Sequence, residues 1–216
     1  MLALINTYAA KILIAAKDGD SIRSISKKIK ESYGWTYKWV SELEKIGVIK
    51  RKKQELYINK ENYFYKEMNR LAKNLLKRSL ILSDAYLLPN LAGLEYIFND
   101  IDAVFIWTKG GYNIGRSKES YPIFIEVLDE DKNSWQAFFS KLNINYAFKN
   151  KRMKGIYFVI KLSRNIEKEY CEGISVLPLI KTAEWANKYK FNFQPALEML
   201  GNLYNLRIGI KYAELP

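Results

Sequence analysis

Residues 20–58 read DSIRSISKKIKESYGWTYKWVSELEKIGVIKRKKQELYI, and this stretch decides the fold that we predict for the N-terminal part of the chain. Ser21 can accept a hydrogen bond from a backbone amide and so begin a helix. Apolar residues then recur at helical spacing, at Ile22, Ile25 and Ile29. We expect this helix to be broken at Gly34, because glycine weakens helices and favours turns.

A second helix is predicted to begin near Trp35 and to end at Gly47, since glycine is common just after the last turn of a helix. Its buried face is expected to carry Trp39, Leu43 and Ile46, which recur at helical spacing. The remaining faces then present polar and aromatic side chains to solvent: Thr36, Tyr37, Lys38, Ser41, Glu42 and Lys45.

A basic hairpin is predicted after this helix. Val48 and Ile49 open one strand, and residues 56–58 return as a second strand. The turn between them, residues 50–54, contains four cations: Lys50, Arg51, Lys52 and Lys53. Helix, turn, helix and hairpin in this order predict a winged helix-turn-helix.

Two phrases of this stretch, SIRSISKKI and WVSELEKIGVI, followed by the basic hairpin, resemble the winged-helix transcription regulators of archaea and bacteria. The resemblance covers residues 4–60. It implies that the second helix enters the major groove of double-stranded DNA and that residues 50–53 contact phosphate. The helix positions that would face DNA are Thr36, Tyr37, Lys38, Ser41, Glu42 and Lys45. The alternative is a winged helix that binds only protein.

The charge distribution is consistent with a polyanionic partner. The chain has 216 residues and a formal net charge of +12. Residues 1–78 hold 18 Lys and Arg against 8 Asp and Glu, whereas residues 79–216 hold 17 against 15. Neutralising phosphates would account for this asymmetry, because it releases counterions. The alternative is a lysine-rich surface of the kind thermophiles use, but a uniform bias would not stop at residue 78.

Composition excludes several kinds of site. Histidine is absent and Cys171 is the single cysteine, so a zinc site, a His-based catalytic triad and an intramolecular disulfide are ruled out. We expect no cofactor. No apolar run reaches the length of a membrane span, and the N-terminus has neither a basic leader nor a cleavage site, so we expect a cytoplasmic protein without membrane contact.

We predict an α+β protein in three parts: a DNA-binding domain over residues 1–61, a basic helix over 62–78 and a mixed α/β domain over 79–216. The basic helix carries an apolar stripe formed by Phe64, Met68, Leu71 and Leu75. Two partners for the stripe remain open. It either forms the seam of a homodimer, which suits two-fold symmetric operators, or packs against its own second domain.

The domain over 79–216 is expected to hold a small sheet flanked by helices. A core helix is predicted over 80–99, with a break at Pro89. A helix capped by Asn133 or Ser134 should bury Trp135, Phe138, Phe139 and Leu142. The predicted strands are 103–107, 121–128, 155–162 and 173–179, and the last helices are 182–189 and 194–206, the latter with Pro195 in its first turn.

Residues 109–116, KGGYNIGR, lie between two of these predicted strands and resemble the opening of the minimal nucleotidyltransferase fold. The resemblance implies an anion-binding turn, for which the candidate ligand-binding residues are Lys109, Gly110, Gly111 and Arg116. It also requires two metal-binding carboxylates on the next strand, where Pro122 and Phe124 stand instead. We therefore predict a degenerate, non-catalytic site without metal. A turn that merely needs glycine is the simpler alternative.

A second resemblance lies in GISVLPLIKT, residues 173–182, which is similar to a phrase of type IV abortive-infection antitoxins. Those proteins join an N-terminal winged helix to a mixed domain and have a nucleotidyltransferase toxin as partner. The matching residues are Gly173, Val176, Pro178, Leu179 and Thr182.

These observations lead us to expect a sequence-specific DNA-binding transcriptional regulator with a non-catalytic sensor or partner domain. Two alternatives remain open. One is an antitoxin-like autoregulator that binds a nucleotidyltransferase toxin. The other is an active nucleotidyltransferase that holds metal through Glu126 and Asp129.

Overall fold

The computed structural model describes residues 7–117, 119–149 and 151–206, and only the backbone of 74–79. The fold is α+β, as predicted. No helix within the described residues is long and apolar enough to cross a bilayer. The chain forms two compact units. The first runs to Leu94 and includes Ser140–Asn143, and the second comprises Glu95–Phe139 and the residues from Ile144 onward. The boundaries predicted from the sequence are at residues 61 and 78.

The first unit contains helices, one hairpin and a short 3-10 turn at Leu88–Ala92. Its helices are α1 (Thr7–Ala15), α2 (Ile22–Ile29), α3 (Tyr33–Lys45), α4 (Tyr63–Ser79) and α5 (Leu82–Leu87). The hairpin pairs β1 (Ile49–Lys52) antiparallel with β2 (Glu55–Ile58). The turn predicted over residues 50–54 is therefore too long, because residues 50–52 continue the strand ladder. The first helix was predicted over 4–17, of which residues 4–6 lie outside the described residues.

A hydrophobic core joins the three first helices to the hairpin. Its fully buried side chains include Ile12, Ile25, Val40, Leu43 and Leu56. The strand β2 is also tied to the segment before α2. The Gly19 amide donates to the Leu56 carbonyl at 2.9 Å, and the Leu56 amide donates to the Asp20 carbonyl at 2.8 Å. These bonds fix the hairpin against the helices, because both are backbone contacts that side-chain motion cannot release.

The helix α4 packs partly onto this same core. Tyr65 and Met68 are buried in it, and Phe64 packs against it. Leu71 is 46% exposed, and the Leu75 side chain lies outside the described residues. Part of the predicted apolar stripe is therefore covered within the first unit, while Leu71 remains at the surface.

The second unit is built on a mixed six-stranded sheet. Its strands are β3 (Tyr96–Phe98), β4 (Ser120–Leu128), β5 (Tyr146–Ala147), β6 (Gly155–Ser163), β7 (Glu169–Cys171) and β8 (Ile174–Val176), in the spatial order β5-β6-β4-β3-β8-β7. β4 runs parallel to β6 along its whole length and antiparallel to β3. Its side chains alternate, with Tyr121, Ile123, Ile125 and Val127 buried. The remaining helices are α6 (Asp100–Trp107), α7 (Lys132–Lys141), α8 (Leu179–Lys188) and α9 (Lys190–Tyr204).

The long strands over 121–128 and 155–162 are confirmed as β4 and β6. The strand predicted within 173–179 is confirmed as β8, which lies between β3 and β7 in the sheet. The predicted strand over 103–107 is wrong, since these residues belong to α6. A run of five apolar residues carries no period that distinguishes strand from helix. Asn99 before the run, with Asp100 and Asp102 in the first turn, places oxygen-bearing side chains where helix N-termini favour them.

The predicted helix over 80–99 is also wrong in extent. Only the first part of this range forms a helix, the short α5. A 3-10 turn with Pro89 at its start follows, and the last part of the range forms the buried strand β3. The short strands β5 and β7 were not predicted. Neither predicted cap of α7 is used, because the 3-10 turn at Asp129–Asp131 leads directly into that helix. Pro195 lies inside α9 rather than in its first turn, because α9 begins at Lys190.

Candidate nucleic-acid interface

The turn between α2 and α3 sets the direction of the exposed helix α3. Ser21 caps α2, accepting a hydrogen bond from the Ser24 amide at 3.1 Å. Lys30 ends the helix in a left-handed conformation with φ 54°. Ser32 then caps α3, accepting from the Trp35 amide at 3.3 Å. The predicted break at Gly34 is therefore wrong, because Ser32 is the better cap and Gly34 lies within the first turn of α3.

The buried face of α3 is rotated from the predicted one. Thr36, Val40 and Leu43 are buried, whereas Trp39 and Ile46 are only partly buried. Thr36 is 1% exposed, and its hydroxyl donates to the Ser32 carbonyl at 2.9 Å. The prediction that Thr36 faces DNA is therefore contradicted. Threonine can occupy a core position because the preceding turn satisfies its hydroxyl.

The other predicted residues of α3 remain accessible. Tyr37, Lys38 and Lys45 are exposed, and Ser41 and Glu42 are half-buried. Glu42 and Lys45 form an ion pair at 2.6 Å. The hydrogen bond from Lys45 lowers the pKa of the Glu42 carboxyl. Tyr37, Lys38 and Ser41 are thus the positions that can offer donors or a ring to a base edge without breaking an ion pair.

Aromatic side chains surround this face, and the sequence analysis did not assign them a role. Trp35 is 47% exposed and stacks on Tyr8, with ring centroids 5.5 Å apart. The Lys38 ammonium lies 4.8 Å from the Trp35 ring centroid. Tyr33 packs on Tyr37 at 6.2 Å. The sequence signal that could have identified these aromatic residues is their spacing of i and i+4, because this spacing places side chains on one helix face.

The hairpin presents its four cations to solvent. Lys50, Arg51, Lys52 and Lys53 are all exposed, and Lys53 lies at the tip with φ 56°. Within the described residues, no carboxylate forms an ion pair with Lys50, Lys52 or Lys53. Three of the four hairpin cations are therefore available to an external anion.

Arg51 differs from the three lysines because it joins the hairpin to α3. Its guanidinium donates to both carboxylate oxygens of Glu44, at 3.0 and 2.7 Å. The same group lies 5.3 Å from the Tyr37 ring centroid. The hydrogen bond to Glu44 raises the pKa of the Arg51 guanidinium above its ordinary value. A bidentate pair of this kind fixes the geometry of both groups, so Tyr37 and β1 hold a defined arrangement.

The glycine-rich segment lies in the second unit, after α6 and before β4. Gly110 has φ 80°, and a Cβ atom on Gly111 would lie 3.0 Å from the Thr108 carbonyl oxygen. Lys109 is exposed and lies 3.6 Å from Glu172. The left-handed backbone favours glycine at Gly110, and a side chain on Gly111 would crowd Met199 and the Thr108 carbonyl, whatever else the segment does.

Arg116 is bound inside the second unit. Its Nη1 atom lies 2.5 Å from Asp102, and both side chains are almost fully buried. The second Asp102 oxygen accepts from the Phe124 amide at 2.6 Å. Arg116 also lines an open pocket of about 630 Å³ together with Ser120 and Arg152. The ion pair ties the glycine-rich segment to α6 and β4, so Arg116 has a structural role besides any contact with a ligand.

The two acids of the rival enzyme hypothesis, Glu126 and Asp129, have different surroundings. Glu126 accepts hydrogen bonds from Asn99 at 3.2 Å and from Lys161 at 2.9 Å. Asp129 is exposed in the 3-10 turn that follows β4. In the described part of the chain, no three acidic or cysteine side chains are grouped so as to hold a metal ion.

The residues that resemble the antitoxin phrase occupy positions with local structural roles. Gly173 has φ 80° in the turn between β7 and β8, and Val176 is buried beside β3. Pro178 precedes α8, and the buried Thr182 donates to the Leu177 carbonyl at 3.0 Å.

No family model, no curated protein and no solved structure matches the chain. Its function has to be argued from its own sites.

Proposed function

We propose that residues 7–58 form a winged helix-turn-helix that binds double-stranded DNA, and that the protein is a sequence-specific transcriptional regulator. The observation that carries the proposal is the exposed row of Lys50, Lys52 and Lys53, none of which has a carboxylate partner among the described residues. Such a row suits a phosphate backbone, because each phosphate that it neutralises releases counterions and adds affinity.

The exposed face of α3 complements this row. Arg51 connects Glu44 and Tyr37 of α3 to the hairpin, so both surfaces can meet one duplex in a fixed register. In the proposed complex, the hairpin lysines contact phosphate and Tyr37, Lys38 and Ser41 face base edges in the major groove. Glu42 and Lys45 have smaller roles, since each already neutralises the other.

The salt dependence of DNA binding tests the phosphate contacts. Replacing Lys50, Lys52 and Lys53 by glutamine should weaken binding to all sequences alike. It should also reduce the slope of log affinity against log salt by up to about 2.7, at about 0.9 for each lost contact. The matched control replaces three exposed lysines of the second unit, Lys149, Lys151 and Lys154, and should leave the slope unchanged. Equal effects of the two triple variants would remove the hairpin from the interface.

Selection from a random DNA pool tests the base contacts. The double substitution Tyr37→Ala and Lys38→Ala should change which sequences are enriched, because these side chains are proposed to face base edges. Tyr63→Ala is the control, since Tyr63 is 78% exposed on α4, outside the proposed interface. An enriched sequence that is identical in all three proteins would assign Tyr37 and Lys38 to phosphate contacts only.

For the second unit we propose a sensor or partner role without catalysis. Two observations support it: Glu126 is held by Lys161 and Asn99, and Arg116 is committed to Asp102. Incubation with labelled nucleotides and magnesium should give no nucleotidyl transfer to protein or nucleic acid. Transfer that is lost in Glu126→Gln would instead support the enzyme alternative.

A further inference from the structure

A groove in the first unit has the properties of a small-molecule site. It has a volume of about 460 Å³, which is within the range of roughly 300–1,000 Å³ that is usual for ligand pockets. It lies between α1, the end of α2, α4, α5 and the 3-10 turn at Leu88–Ala92. Its apolar lining includes Ala10, Ile14, Ile29, Leu87, Leu88 and Leu91. This lining favours an apolar body over a polar one.

The charged residues of the groove are mostly cations, and two of them already have partners. Lys28 forms an ion pair with Asp20 at 2.6 Å, and Lys11 pairs with Glu31 at 2.8 Å. Lys30 has no carboxylate partner within the described residues. Among the described lining residues, Asp84 is the one acid. Lys30 is therefore the one cation of the described lining without a carboxylate partner, and Asp84 likewise lies in no ion pair among the described residues.

The environment of Lys30 also favours a bound negative charge. Lys30 holds a left-handed conformation with φ 54° at the end of α2, which directs the chain abruptly into the next turn. Desolvation by the surrounding protein lowers the pKa of its ammonium group. A negatively charged group bound beside it would offset that cost, because an opposite charge stabilises the charged form.

We propose that this groove binds a small amphiphile with an apolar chain and one carboxylate head group. The apolar lining accepts the chain, and the Lys30 ammonium accepts the carboxylate. A monoanion suits the groove better than a phosphate monoester, whose charge approaches −2 at neutral pH, because Asp84 in the same lining repels additional negative charge. The proposal does not depend on whether α3 binds DNA.

Titration of the isotope-labelled full-length chain with decanoate, below its micellar concentration, tests the proposal by nuclear magnetic resonance. Decanoate should shift the amide signals of residues that line the groove. Decanol has the same chain but no charge, and should bind at least about tenfold more weakly, which is the usual effect of one hydrogen bond to a charged group. Equal affinity for the two compounds would overturn the proposal.

Two variants locate the site. Lys30→Gln should weaken decanoate binding about tenfold or more and leave decanol binding unchanged. Lys27→Gln is the control, because Lys27 is an exposed residue of the same helix and does not line the groove. Ala72→Trp should weaken both compounds by filling the groove. The circular dichroism and thermal midpoint of each variant check that it is folded.

Four outcomes would contradict the site. They are the absence of decanoate binding, shifts outside the groove, equal effects of Lys30→Gln and Lys27→Gln, and unaltered binding by a folded Ala72→Trp variant. An acidic helical peptide that binds more tightly than decanoate and displaces it would show that the groove is occupied by a protein segment and not by a small molecule. It would therefore overturn the assignment of the occupant.

Discussion

The buried ion pair between Asp102 and Arg116 gives a prediction that depends on no assumption about function. Asp102→Asn keeps the shape of the side chain and an acceptor for the Phe124 amide, but removes the charge that compensates Arg116. Both side chains are at most 2% exposed, so water cannot replace the lost partner. Leaving one buried charge without its partner costs about 3–5 kcal/mol, and we expect a loss in this range.

Urea unfolding, together with hydrogen exchange of the amides of β4, measures the effect in the second unit. The control is Glu67→Gln, which breaks an exposed ion pair with Arg70 on α4 and should cost no more than about 1 kcal/mol. Adding Arg116→Met to Asp102→Asn should recover part of the loss, because no buried charge then remains. A loss below about 1 kcal/mol, or one equal to that of the control, would refute the reasoning.

Three further predictions follow from single positions. Asp100 has φ 50°, which asparagine tolerates well, and burial raises the pKa of its carboxyl. Asp100→Asn removes the buried charge, so it should raise the free energy of unfolding by about 1 kcal/mol at pH 7. This gain should disappear as the pH falls to about 4, where the acid is increasingly protonated even in the unfolded chain. Gly111→Ala should lower the free energy of unfolding by about 1 kcal/mol, whereas Gly34→Ala, with open space around it, should raise it by up to about 1 kcal/mol. Glu44→Gln should release Arg51 to phosphate and steepen the salt slope of DNA binding by about 0.9.

Each of these three has an outcome that contradicts it. A stability gain of Asp100→Asn that persists unchanged below pH 4 would exclude the carboxyl charge as its cause. Identical urea midpoints for the two glycine variants would show that the Gly111 backbone relaxes without cost. A shallower salt slope for the Glu44 variant would mean that the ion pair positions Arg51 for DNA instead of withholding it.

The sequence was most informative where apolar residues formed a long run or recurred at regular helical spacing. The apolar runs over 121–128 and 155–162 identified β4 and β6, and Gly47 was placed correctly after α3. Helices α2 and α3 were also recognised, since each has apolar residues at helical spacing, but only the cap of α2, Ser21, was predicted.

The failures have a common physical origin, because contacts distant in sequence decided short segments. The apolar residues at 103–107 form a helix that is anchored by Asp102 to Arg116 and to the Phe124 amide, none of which a local window reveals. The strand β3 has only three residues and takes its partners from β4 and β8.

On α3, the predicted buried face and the observed one differ by one residue at Trp39. Trp39 was expected inside, but the structure buries Val40. Thr36 lies on the same face and is therefore hidden. This shift changed the list of candidate interface residues, although Tyr37 and the four hairpin cations are exposed as predicted. Of these cations, only Lys53 lies in the turn, because Lys50, Arg51 and Lys52 belong to β1.

The first unit takes Ser140–Asn143 from a later part of the chain, and this has a consequence for synthesis. A nascent polypeptide that has emerged only as far as Leu94 still lacks four of the residues that complete this unit. Since chains leave the ribosome from the N-terminus at about 5–20 residues per second, the missing piece arrives roughly 2–10 seconds later. The ribosome therefore finishes the first unit only after it has made the sheet strands β3 and β4 of the second.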